Sequence, residues 1–251
     1  MHTPVNTTSG VSTIRGETQI SSGKECLASY LGVVPYDLAL KLQQSLLSAR
    51  TEGFISDVLL LLQHPPAFTV GKFRGEEDII VPRELLACEG IDVFHTNRGG
   101  SVTYHGPGQL IGYPVLNIKE TGLGVRRYIW SLEEVVIMLL HHIGIQGRRV
   151  ADHRGVWVGE KKICSIGVNV SRGISTHGFA LNLSNDLRYF QFIRPCGLAG
   201  EVMTSVSELS GRSVEVETVV SNTIHCFSEV FGLDCKRKDD TCLAMLGALS
   251  G

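Results

Sequence analysis

The sequence predicts a single α/β (α+β) domain, a mixed β-sheet flanked by helices. Three observations carry that expectation. Asp57–Gln63 (DVLLLLQ) is continuously apolar and is stopped by His64-Pro65-Pro66, as a strand buried on both faces would be. Helical spacing recurs in Leu38, Leu42 and Leu46 behind Pro35, in VVIMLLHHI behind a Ser131/Glu134 capping box, and over 214–231 before Gly232. The 251 residues, 43% hydrophobic, contain no composition break and no internal repeat, which suits one substantial core.

In chain order, residues 1–24 are rich in Thr, Ser and Gly and nearly free of large apolar side chains, so they are expected to be a disordered tail. Residues 1–16 lack acidic side chains and hold one arginine, a faint organelle-transit signal; the expected location is cytoplasmic, with a mitochondrion or plastid as the alternative. The catalytic domain is expected over 25–233. A first strand is read at 26–34, a helix from Pro35 to about Arg50, the buried strand at Asp57–Gln63, and strand or loop at 68–73. Residues 82–89 read as a short helix closed by Gly90, and 91–96 as a strand.

Next comes RGGSVTYHGPGQLIGYPVLNI (98–118). Val102 and Tyr104 alternate along a strand, 105–108 make a sharp turn, and 110–116 return, the pattern of a Gly-rich hairpin. Such glycines let backbone N–H groups approach a ligand, although from these residues alone a plain hairpin with a structural His105 is the favoured reading. The capping box starts a helix at 132–143, which residues 128–130 extend backward. Two apolar strands follow, 163–170 and 179–183, separated by a Gly/Ser turn, then the long helix at 214–231. Residues 234–251, charged and then weakly apolar, are expected to be a C-terminal tail without an evident role.

Several classes are excluded at this level. A net charge of −2 gives no basic field for nucleic acid. The longest apolar runs, 58–62 and 135–140, fall far short of the roughly 20 residues of a membrane span. Seven cysteines, an odd number without CxxC spacing, favour free thiols in a reducing compartment, and neither they nor His141-His142 have metal-ligand spacing. No metal and no cofactor is expected.

The chemically informative stretch is 155–197, which holds Lys162 near its start and ends on Pro195-Cys196-Gly197. Proline before and glycine after the thiol describe an open bend that presents a nucleophile. An ammonium near a thiol stabilises the thiolate and a neutral lysine can take its proton, so the pair has the elements of a nucleophilic dyad. Read from residues alone, a buried inert cysteine and a solvated lysine are the alternative. Lys161 is a rival to Lys162 because neighbouring strand residues face opposite ways, and Cys164, two residues on, is expected to share the face of Lys162 in an extended run.

RGGSVTYHGPGQL, GVWVGEKKICSIG, THGFALNL and PCG, in this order and spacing, resemble the lipoyl(octanoyl) transferases of lipoate biosynthesis over about 26–231. The resemblance implies a fold like that of biotin and lipoyl protein ligases. It implies transfer of an octanoyl group from octanoyl-acyl carrier protein to a lysine of lipoyl domains, those of 2-oxoacid dehydrogenase complexes and of the glycine cleavage H protein. Cys196 would hold the acyl group as a thioester, and Lys162 would lower the thiol's pKa and shuttle protons. The acyl pocket would be lined by Arg98, Gly99, Gly100, Ser101, Val102, Thr103, Tyr104 and His105, by Ser165, Ile166 and Gly167, and by Gly178, Phe179 and Ala180. Acidic protein partners lead one to expect a local basic face, for which Arg126, Arg127, Arg148, Arg149 and Lys161 are candidates. Competing readings are an ATP-dependent lipoate or biotin ligase, although no GxxxxGK[ST] loop is present, a silent lipoyl-domain binder, and a cysteine hydrolase using His177.

Overall fold

The computed structural model describes residues 24–73, 75–194, 202–240, 242 and 244–245. Eleven strands and five helices are labelled here in chain order. Strand β1 (Lys24–Val33) leads through Pro35 into α1 (Tyr36–Thr51), then β2 (Asp57–Gln63). The proline suits the entry because its fixed φ and missing N–H cost nothing at a helix start.

In β2 the two-residue period sorts one leucine run into two cores. Leu59 and Leu61 face one side, and Val58, Leu60 and Leu62 the other. The eight-stranded sheet runs β11-β1-β2-β6-β10-β9-β8-β7, with β1 parallel to β2 and β11 and the remaining pairs antiparallel. Helices α3 (Val125–His142) and α5 (Val216–Phe231) cover the first face and α1 the second. The ion pair of Arg50 with Asp57, 2.7 Å, joins the end of α1 to the start of β2, and Asp57 also accepts the Asn117 N–H at 3.0 Å.

A second, three-stranded sheet is formed by β3 (Ala67–Val70), β4 (Asp92–His95), which follows the short helix α2 (Arg83–Cys88), and β5 (Val102–His105). It has its own small core around Phe68, Tyr104, Tyr189 and Phe190. The expected hairpin at 98–118 is corrected here. β5 belongs to the small sheet and β6 (Gln109–Val115) to the large one, so the 105–108 turn carries the chain between sheets. Alternation predicts a strand but not its partner.

Strand β7 (Arg148–Val150) pairs with β8 (His153–Val158), which pairs with β9 (Lys161–Ser171). Strand β9 turns into β10 (Ile174–Asn182) through Arg172 and Gly173, both at positive φ (54° and 88°), the backbone of a two-residue primed turn. The second strand therefore starts at Ile174, five residues before the expected 179. Helix α3 also starts earlier than its capping box implies: Gly124 is its N-cap and Ser131 lies buried inside it. Tyr128, Ile129, Leu132, Val136 and Leu140 make one buried stripe, and that burial outweighs the local cap.

After α4 (Val206–Ser210) and α5, strand β11 (Leu233–Arg237) pairs in parallel with β1. The Asp239 carboxylate accepts the Tyr30 N–H at 2.9 Å, and Cys242 is buried on the α1 side. Of the described residues beyond 233, expected as a tail, 234–237 are thus part of the sheet. Their mostly charged, exposed side chains suit an edge strand. The expected tail at 1–24 lies outside the described residues except for Lys24, which begins β1. Among the described residues no helix is long and apolar enough to cross a membrane.

Candidate active site

A cavity of about 450 Å³ lies where the 98–101 loop and β5 are laid over the β9–β10 hairpin. Its walls are Arg98 to Ser101, Val102, Thr103 and His105 on one side, and Lys162, Ser165, Ile166, Gly167 and His177 to Ala180 on the other. Tyr36 and Tyr113 also line it, as do Phe73, Asp152, His153 and Arg154, the first, second and fourth of which are solvent-exposed. The Gly99 N–H donates to the Val168 carbonyl at 2.9 Å, tying the loop to the hairpin. Of the acyl-pocket residues expected from sequence, Tyr104 alone is not at this wall. Its ring packs at 5.0 Å from Tyr189 and 5.6 Å from Phe190, in the core of the small sheet.

The floor is thin by necessity. A Cβ on Gly178 would stand 2.1 Å from the Gly112 carbonyl oxygen on the neighbouring strand, and backbone cannot step aside as a side-chain tip can. Gly178→Ala is expected to lower unfolding stability by about 1–3 kcal/mol, read as a lower urea midpoint. An unchanged midpoint would contradict this packing.

Lys162 is only 5% exposed, and its Nζ lies 5.4 Å from the Trp157 ring centre, within cation–π range. Lys161 pairs instead with Glu208 on the surface, Nζ to Oε1 2.8 Å. The two lysines are sorted by a bulge: Val156 opposes Cys164 while the next residue, Trp157, opposes Lys162. The bulge breaks the alternation that would have given Lys162 and Cys164 one face. Lys162 joins Ser165 and Gly167 at the cavity, and Cys164 turns into the core beneath α3 and α5, where burial pushes its thiol pKa up. Gly155, at φ 122°, makes room, since a Cβ there would meet Cys164 O at 2.3 Å and Lys162 Cε at 3.0 Å.

Cys196 lies outside the described residues. Its described flanks are Arg194, whose N–H donates to Asp78 O at 2.7 Å, and Val202, whose carbonyl accepts the Lys162 N–H at 2.9 Å. Thr204 N–H returns a bond to Lys162 O, also 2.9 Å.

The polar end of the cavity is a chain of fixed donors and acceptors. Arg98, 7% exposed, donates to Thr69 O at 2.5 Å and to Thr69 Oγ1 at 2.8 Å. With its oxygen so occupied, the Thr69 hydroxyl proton is left for His105 Nε2 at 3.3 Å. On the other side His105 Nδ1 donates to Gln109 Oε1 at 2.9 Å, the amide orientation being set by Gln109 Nε2 donating to Tyr104 O and Asn182 Oδ1. Burial, then the neighbouring His64, hold His105 well below the ordinary histidine range. Burial likewise lowers His177 to about 3. These rings are neutral walls and orienters, not proton carriers at neutral pH.

Tyr36, Tyr113, Phe73, Asp152, His153 and Arg154 were not foreseen at the site. Tyr36 reads only as part of a helix start, Tyr113 as one more strand residue, and 152–154 precede the informative stretch at 155–197 without a motif of their own. The expected basic face is largely neutralised: Arg148 pairs with Glu160, Arg149 with Glu133 and Glu134, and Lys161 with Glu208, while Arg127 stacks on Trp130 at 4.0 Å.

The mixed-sheet domain buries a lysine beside a glycine-floored cavity that runs along Phe179 and Ala180. Residues 35–228 match the lipoyl protein ligase A/B catalytic domain. The chain is 45% identical over 205 residues to the octanoyltransferase of Alkaliphilus metalliredigens, covering 81% of this chain and 94% of that one. It is 43% identical over 211 residues to the octanoyltransferase of Solibacter usitatus, 84% and 95% covered. Among solved structures, lipoate-protein ligase A bound with ATP superposes with TM-score 0.73 at 17% identity, over 91% of this chain and 96% of that one. The bi-partite lipoate protein ligase of Thermoplasma acidophilum, described with its E2 lipoyl domain, gives 0.66 at 19%, over 92% and 94%. At those identities the likeness is one of fold. The chain belongs to the lipoyl protein ligase A/B catalytic-domain family, within the octanoyltransferases, and is a transferase of that kind.

Proposed function

We propose that the protein carries an octanoyl group from octanoyl-acyl carrier protein to a specific lysine of lipoyl domains, through a thioester on Cys196, with Lys162 as its partner. The observation that carries this reading is the burial of Lys162 at the cavity, where its backbone is bonded on both sides to residues 202 and 204, just beyond the Pro195-Cys196-Gly197 segment. The identity to octanoyltransferases supports the transfer, and the pairing of the Thermoplasma acidophilum ligase with an E2 lipoyl domain supports the acceptor.

In the first half-reaction the Cys196 thiolate attacks the thioester carbonyl. The tetrahedral oxyanion collapses and the carrier thiolate leaves, taking from the Lys162 ammonium the proton that Cys196 had given to Lys162, so that Lys162 is neutral when the acceptor amine attacks. In the second, the acceptor amine attacks the acyl-enzyme and loses a proton to Lys162, and the C–S bond breaks to restore Cys196. Thioester exchange is nearly balanced, whereas amide formation is strongly downhill, so the cycle needs no ATP. In this reading an ammonium at Lys162 is what favours the Cys196 thiolate over the thiol.

The test is intact mass of the purified protein after incubation with octanoyl-acyl carrier protein and no ATP. Wild type gains one octanoyl group, Cys196→Ala gains none, and apo-lipoyl domain discharges the adduct. Octanoylation of the lipoyl domain only when octanoate and ATP are supplied would replace this reading with that of a ligase.

A further inference from the structure

A second cavity of about 350 Å³ adjoins the first. It is polar, with Gln43, Gln44, Lys72, Asn97 and Asn169 in its wall, and among the described residues His177 lines both cavities. His177 is held there against its own backbone preference. It sits at φ 55°, a region that side-chain-bearing residues avoid, and it persists there because two side chains fix it. Its N–H donates to Gln43 Oε1 of α1 at 2.8 Å, and its Nε2 lies 2.8 Å from Asn97 Oδ1.

The strand register gives the distance this ring measures. Lys162 Cε lies near Gly155, which precedes Val156, the partner of Cys164, and so stands level with Ser165 across the β8–β9 pair. Across the hairpin Ser165 pairs with Ala180 and Val168 with His177. From the first pair to the second is three residue steps, about 10 Å at the rise of a strand, the length of an extended eight-carbon acyl chain. Resting on the octanoyl-transfer reading above, we propose that the His177 ring is the end wall of the acyl cavity and the residue that fixes acyl chain length, by closing the cavity off from its polar neighbour. The ring is uncharged at neutral pH, so an apolar chain end can abut it.

The experiment is competition among octanoyl-, decanoyl- and dodecanoyl-acyl carrier protein for one lipoyl domain, with products resolved by intact mass. The product ratio is independent of how much of a variant is active. Wild type favours octanoyl. His177→Ala joins the cavities and raises the dodecanoyl-to-octanoyl ratio at least about tenfold, the scale at which a pocket discriminates added methylenes. His177→Phe, which keeps the bulk and loses the hydrogen bond, and Asn97→Ala, which frees the ring, both shift the ratio the same way by much less than His177→Ala. An unchanged ratio in both His177→Ala and Asn97→Ala, or a His177→Phe ratio equal to that of His177→Ala, overturns the end-wall role. A wild type that moves no acyl group from any donor overturns the transfer reading itself and removes this inference with it.

Discussion

Lys162→Ala is expected to lower the rate of octanoyl transfer by about 10²–10⁴-fold, the range seen when a positioned proton-transfer group is removed. Most of the loss should fall on kcat, with the KM for the carrier donor within a few-fold. The reason is location: Lys162 lines the cavity, at its reacting end in the proposed function, and the substitution leaves the glycine floor intact. Lys162→Arg is not expected to restore activity, because the lysine stem already lies close against Gly155, whose missing side chain is the space it uses. Lys161→Ala is the control. That neighbour is tied to Glu208 on the surface, a pair worth at most about 1 kcal/mol, and should change the rate less than twofold. The intact-mass signal separates the steps, since octanoyl-Cys196 forms slowly in Lys162→Ala and is discharged slowly. A Lys162→Ala rate within threefold of wild type would remove this residue from the chemistry.

Which lysine faces the cavity was named by the motif resemblance, which points to Lys162, but not by strand alternation, and the reason is specific. Adjacent strand residues alternate, so one of Lys161 and Lys162 must face inward, but the bulge opposite Val156 and Trp157 decides which, and whether Cys164 follows. A bulge is a mismatch between two strands, and β8 was not recognised as a strand because His153, Arg154 and Gly155 interrupt its apolar pattern. The elements that were legible, β2, α1 and α5, owe it to burial patterns complete within one segment. The turn at 105–108 was visible for its glycines and proline, but its crossing between sheets depends on β3 and β10, distant in the chain. Tyr104 illustrates the same limit at one residue: its neighbours in RGGSVTYH all line the cavity, while its own ring faces Tyr189 and Phe190, more than eighty residues away.

The cluster of neutral histidines behind the cavity should make the fold acid-sensitive at a mild pH. His64 is fully buried, its Nδ1 donating to Val34 O at 2.7 Å and its Nε2 accepting from the Tyr113 hydroxyl at 2.9 Å. Burial drives its pKa down to about 4, only partly countered by the Val34 carbonyl. His177 is lowered to about 3 and His105 well below its ordinary value, each chiefly by burial. In the unfolded chain all three titrate near the usual value of about 6.5. As the pH falls below that value the unfolded state binds protons that the folded state refuses, so stability declines with falling pH. The contribution is fully present above about pH 6.5 and is lost progressively as the pH drops toward the folded values. For His64 alone the displacement amounts to about 3 kcal/mol, at roughly 1.4 kcal/mol per pH unit. Urea midpoints measured from pH 7.5 to pH 5.0 should therefore fall steeply, in a window above most carboxylate titration. His64→Phe should begin lower at pH 7.5, because Val34 O and the Tyr113 hydroxyl lose their partner, yet decline less steeply than wild type. A wild-type midpoint that stays level across this window would mean that the three rings are solvated or already charged in the folded state, and the tautomers assigned to the cavity wall would fall with it.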